Sequence, residues 1–178
     1  MTEAGASGGP GWPAAIHAAL KAHEVRQVAY VPDGGHTELL RLVHEDPAMT
    51  PVLLTSEQEG VGVLAGAWLG GQRGVLVMQS SGVGNCVNLL SLVRLCQLPF
   101  LALVTMRGEW GEFNPWQAPM GSATAEAFAL MGIPVQRVDT PEAVAPTVNA
   151  ACAMAFAGGS PTAVLLGQRL IGAKEFLK

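Results

Sequence analysis

The stretch of this chain best equipped for chemistry runs from 55 to 70 and reads Thr-Ser-Glu-Gln-Glu-Gly-Val-Gly-Val-Leu-Ala-Gly-Ala-Trp-Leu-Gly. It predicts a helix over 57–69. Glu57, Gln58 and Glu59 crowd its first turn. Acidic side chains there suit the positive end of the helix dipole, and Ser56 is placed to cap it. A carboxylate can also trade a proton with a ligand, whereas a carboxamide can only hydrogen-bond it. Gly60, Gly62 and Gly66 each cost roughly 1 kcal/mol in a helix against Ala. A helix that keeps all three is expected to press against a neighbouring backbone or a ligand.

A second segment, Gln79-Ser-Ser-Gly-Val-Gly-Asn85, follows an apolar run and opens another helical pattern. Backbone N–H groups at such a turn can hold an anion or the edge of a polar ring. Ser81, Gly82 and Asn85 are its candidate binding residues, and a purely structural turn is the alternative. The segment lacks the third glycine of a dinucleotide fingerprint and the Lys of a phosphate-binding P-loop, which argues against NAD binding and ATP hydrolysis. A third turn, Pro32-Asp33-Gly34-Gly35, ends the first apolar strand pattern. His36 beside it is a candidate to face a site. Arg107 is the cation nearest its strand's carboxyl end. It either grips an anionic substrate group in a fork or pairs with Glu109 or Glu112. Trp110, Phe113 and Trp116, on the same stretch, read as a lid or a subunit contact, the contact being preferred.

Six short apolar runs must position these turns, at 25–31, 52–54, 75–78, 100–105, 135–138 and 163–166. Helical patterns separate them, at 12–23, 36–44, 57–69, 85–97, 122–131 and 141–157, and 107–121 reads as a long surface loop. Alternation of this kind predicts an α/β fold, a three-layer α/β/α arrangement with a six-stranded parallel sheet. Ligands of such sheets sit at the carboxyl ends of the strands. Residues 1–12 read as a disordered tail and 13–178 as one domain.

Composition narrows the function. Hydrophobic residues make up 49% of the chain and charged ones only 13%, which points to surface meant for a partner chain or self-association. A net charge of -4 disfavours nucleic acid. Cys86, Cys96 and Cys152 show no metal-ligand spacing and read as reduced thiols of a cytoplasmic protein. No apolar run approaches the ~18 residues of a membrane span, and no basic region marks a signal peptide.

Val-Pro-Asp after the first strand, Glu-Gln-Glu-Gly-Val-Gly-Val-Leu-Ala-Gly-Ala-Trp, and Gln-Ser-Ser-Gly-Val-Gly-Asn before a Leu-rich helix together resemble the pyrimidine-binding domain of thiamine-diphosphate-dependent decarboxylases. The likeness is to the sulfopyruvate decarboxylase alpha subunit and to phosphonopyruvate decarboxylase, over about 14–170. The resemblance implies thiamine diphosphate as cofactor and a small anionic 2-oxo acid as substrate. It implies that a beta-type partner subunit holds the diphosphate through Mg²⁺, because the family's Gly-Asp-Gly motif is missing here. It also implies an acid at the start of the glycine-rich helix that bonds the aminopyrimidine. Counting two residues back from Gly60 puts Gln58 at that position, between Glu57 and Glu59, a departure from the family. Pro32, Asp33 and Gly34 would line the substrate side, and Arg107 and His36 would meet the substrate. The departure at Gln58 leaves a non-catalytic or regulatory homologue as the alternative reading, with a stand-alone nucleotide-binding module as a third.

Overall fold

The computed structural model describes residues 11–172. The tail expected over 1–12 lies outside them as far as position 10, and Trp12 already belongs to the first helix. Six parallel strands form one sheet: β1 (Val25–Tyr30), β2 (Thr50–Leu53), β3 (Arg73–Gln79), β4 (Leu101–Thr105), β5 (Val135–Val138) and β6 (Thr162–Leu166), in the order β2-β1-β3-β4-β6-β5. The helices are α1 (Trp12–Ala22), α2 (Thr37–Glu45), α3 (Glu57–Leu69), α4 (Ser80–Cys86), α5 (Leu90–Leu95), α6 (Ala118–Leu130), α7 (Pro141–Phe156) and the short α8 (Gln168–Ile171).

The strand pleat divides the core. Val75 and Val77 of β3 face one side, with Leu20 of α1, Leu39 of α2 and Val148 of α7. Leu76 and Met78 face the other, with Leu64 of α3, Val83 of α4 and Phe128 of α6. Side chains alternating along each strand give two apolar layers, and helices cover both faces as the continuous apolar runs require. The chain leaves β1 toward β2 on one side and β3 toward β4 on the other. The crevice between the ends of β1 and β3 is therefore the topological switch point, where ligands of open α/β sheets bind.

Three local expectations change. The segment 80–85 is the helix α4 rather than a turn, and 87–89 separate it from α5 instead of one helix running over 85–97. Its glycines fit α4 between two neighbours: a Cβ on Gly82 would overlap Glu57 of α3, and one on Gly84 would crowd Met120 of α6. The long loop after β4 shortens, because a 3-10 turn (Pro115–Gln117) leads into α6 at Ala118. Pro115 and Pro119 are tolerated because the opening turn of a helix asks nothing of a backbone N–H. Finally, only Gly60 in α3 is pressed against the sheet, where a Cβ would overlap Leu76 and crowd Leu54. Gly62 and Gly66 meet nothing within 4 Å and leave one face of α3 open.

Candidate active site

The turns after β1, β3 and β4 converge because these strands are neighbours in the sheet. The Asp33 carboxylate accepts from the Gly35 N–H at 3.0 Å and from Thr105 Oγ1, at the end of β4, at 2.7 Å. Arg107 N–H donates to Ser80 Oγ at 3.1 Å, tying the end of β4 to the start of α4. A cleft of about 320 Å³ opens between them, lined by Pro32, Asp33, Gly34, Gln79, Arg107, Phe113, Asn114 and Gln117.

The start of α3 brings a buried carboxylate beside α4. Glu57 is only 8% exposed, and its Oε2 accepts from Asn85 Nδ2 at 2.8 Å. Its carboxyl group lies over Gly82, where any Cβ would collide with it. Burial and the nearby Glu57 charge push the Cys86 thiol up to about 12, so Cys86 stays protonated and inert. Glu57, Gly82 and Asn85 thus form one unit, built from the start of α3 and the short helix α4 that follows β3.

Gln58, expected to face the ligand, is exposed, and it is Glu57 that lies over Gly82. Successive helical residues turn by about 100°, so only one of the three polar residues in this turn can face α4, and the packing of Gly60 on Leu76 gives that direction to Glu57. Glu59 is also exposed. Its carboxylate turns back to accept from the Thr55 N–H at 3.0 Å and from the Thr55 hydroxyl. The capping expected of Ser56 is not made, since its side chain forms no cap hydrogen bond. Ser81 is half-buried beside Gly82.

His36 does not open onto a site. It is fully buried, with Nε2 at 3.2 Å from the Met78 carbonyl. Arg107 is also buried, and it forks onto Glu112 with Nε and one terminal nitrogen at 2.7 Å each. Glu109, the other partner considered, pairs with Arg137 instead. Glu112 also accepts from the backbone N–H groups of Gly108 and Asn114 and from Gln168 Nε2, at 3.2, 3.0 and 3.1 Å. The loop carrying the exposed Trp110, Phe113 and Trp116 is therefore folded around one carboxylate.

These buried groups set an acid sensitivity. Burial lowers His36 from 6.5 to about 4, with the Asp33 charge opposing. The Arg107 hydrogen bond lowers Glu112 from 4.5 to about 2. Both groups bind protons more readily in the unfolded chain, so stability rises with pH across both windows. His36 stabilisation is complete above 6.5 and lost toward 4, and that of Glu112 is complete above 4.5 and lost toward 2. The urea midpoint should fall steadily as the pH drops below 6.5, and a His36→Gln protein should lose the upper part of that slope. An unchanged slope in the variant would contradict the assignment.

Sequence reasoning passed over Gln79, Asn114 and Gln117 as site residues. Gln79 carried a signal, as the last residue of its strand ahead of a glycine-rich helix start. Asn114 and Gln117 carried none, since only the fold of the loop brings them to the cleft. Among the described residues no group of three His, Cys, Asp or Glu is placed to hold a metal ion, and no helix is long and apolar enough to cross a membrane.

No family model matches the chain. It is 35% identical to the sulfopyruvate decarboxylase subunit alpha of Methanothermobacter thermautotrophicus, over 85% of this chain and 93% of that one. It is 33% identical to the same subunit of Methanocaldococcus jannaschii, over 85% and 90%. Phosphonopyruvate decarboxylase of Streptomyces viridochromogenes is 40% identical over 60% of this chain, a match that spans 27% of that longer protein. The fold resembles part of a 2-oxoglutarate:ferredoxin oxidoreductase from Magnetococcus marinus, with a TM-score of 0.70 and 14% identity, over 91% of this chain and 29% of that one. Sheet order and helices on both faces place the chain in the three-layer α/β/α class, the fold it shares with that structure. Within that class, the chain belongs to the family of sulfopyruvate decarboxylase alpha subunits.

Proposed function

We propose that this chain is the alpha-type subunit of a cytoplasmic thiamine-diphosphate-dependent decarboxylase acting on 2-oxo acids with an anionic tail, such as 3-sulfopyruvate or 3-phosphonopyruvate. A beta-type subunit would hold the diphosphate and Mg²⁺, while this chain supplies the aminopyrimidine half of the site. One observation carries the reading: a carboxylate buried at the switch point, beside a glycine that leaves room for it and an amide that orients it.

That observation favours Glu57 over Gln58 as the acid. Asn85 holds Oε2, and Oε1 accepts no hydrogen bond from the described residues, so a ring nitrogen could share its proton with Oε1. The residues present therefore fit the group. Thiamine diphosphate, when bound, supplies the electron sink for loss of carbon dioxide. Glu57 holds and returns a proton at Oε1, Asn85 fixes the carboxylate plane, and Gly82 permits close approach. Pro32 and Gly34 wall the cleft where the substrate would lie. The alternative of an impaired homologue rested on Gln58, and it loses that basis once Glu57 is the buried acid.

The test is to co-purify the chain with its native partner and measure carbon dioxide release from each 2-oxo acid, with and without thiamine diphosphate and Mg²⁺. A complex that neither binds the cofactor nor decarboxylates any of them would sink the proposal. Gln58→Ala should keep turnover within about twofold, as surface changes usually do. Gln58→Glu should give no gain. A large change in either protein would return the acid's position to 58.

A further inference from the structure

The cleft at the ends of β1, β3 and β4 presents neutral donors, and of the two roles open to Arg107 it shows the pairing with Glu112. Arg107 lines it, but its guanidinium fork is closed on Glu112, and the two side chains are only 6% and 7% exposed. Gln79 and Gln117 line the same cleft. The Oε1 atom of each is shielded from solvent and has no hydrogen-bond donor. With the oxygens turned inward, the end that each carboxamide offers the cleft is its N–H end. A shielded amide oxygen without a donor is unfavourable. Turning the amide over would only shield the nitrogen instead. The inward arrangement is compensated when the outer N–H groups meet an acceptor. Asn114, beside them, gives its oxygen to the Trp116 N–H at 3.1 Å, so it too has a donor to spare. Three amides, one from a strand end and two from the loop after β4, thus line one small volume, and all offer hydrogen to an acceptor.

We propose that Gln79 and Gln117 are specificity-determining residues that hold the anionic tail of the 2-oxo acid through their amide N–H groups, while Arg107 stays bound to Glu112 and out of substrate contact. The proposal rests on the decarboxylase reading above for the identity of the ligand. A sulfonate or similar tail has acceptors only and no hydrogen to give, which matches a wall of donors. Asp33 lines the cleft as well, so the anion lies toward the Gln79–Gln117 side.

The experiment measures binding apart from turnover. The complex of this chain with its co-purified partner and thiamine diphosphate is titrated calorimetrically with 3-sulfopropanoate, which has the tail but no 2-oxo group and cannot decarboxylate. Gln79→Leu and Gln117→Leu should each weaken binding roughly tenfold or more, the worth of a hydrogen bond to a charged partner. Gln117→Glu, almost the same shape, should weaken it further by adding like charge. Thiamine-diphosphate affinity should not change. With a reactive substrate, the same variants should raise KM and leave kcat in place. Wild-type affinity in both Leu variants, or no binding by the wild-type complex, would overturn the proposal. Failure of the decarboxylase reading would look different: 3-sulfopropanoate would bind and respond to the Gln variants, yet no 2-oxo acid would release carbon dioxide.

Discussion

Glu57→Gln should lower turnover by about 10²–10⁴-fold, the usual cost of losing a proton-transfer partner. The substitution keeps the shape of the side chain and its place over Gly82, and it keeps a carbonyl oxygen for Asn85. What it removes is the ability to take and return a proton. The loss should therefore appear in kcat, with cofactor affinity changed far less, and the melting temperature should hold. Glu59→Gln is the control, since that carboxylate is exposed and bonds Thr55 rather than α4. Turnover within threefold of wild type in Glu57→Gln would place the acid elsewhere. Equal losses in the two variants would argue for a general effect on the helix start.

The second large effect is on stability. Glu112→Ala leaves the Arg107 guanidinium buried without its counter-charge and removes the acceptor for two backbone N–H groups and Gln168. Breaking one side of a buried ion pair typically costs about 3–5 kcal/mol. For a chain of this size that is a fall of about 10 °C in melting temperature. Replacing both partners, Arg107→Met with Glu112→Leu, should recover much of the loss, because no lone charge is then buried. The exposed ion pair of Arg137 with Asp139 is a contrast: Asp139→Ala should cost well under about 1 kcal/mol, as surface pairs do. A Glu112→Ala loss below about 1 kcal/mol would mean that water enters and solvates Arg107, and the loop would not be anchored as described.

The sequence alone determined the sheet and its partners in the core. Six apolar runs spaced by helical patterns leave few alternatives, because continuous Val- and Leu-rich strands must be covered on both faces. It also marked the turns where a site is expected, since ligands bind where parallel strands end and the Gly- and Pro-rich breaks mark those ends. The tertiary structure decided which side chain in each turn is turned inward. Glu57, Gln58 and Glu59 differ by one step of a helix, and only the packing of Gly60 on Leu76, with the close approach of Gly82, gives the inward direction to the first of them. Arg107 and Glu112 lie five residues apart on an irregular loop, and no periodicity relates them. Gln79 and Gln117 come from segments 38 residues apart, brought to one cleft by strand adjacency alone. Direction and long-range pairing depend on how close neighbouring backbones come, and a one-dimensional pattern does not contain that distance.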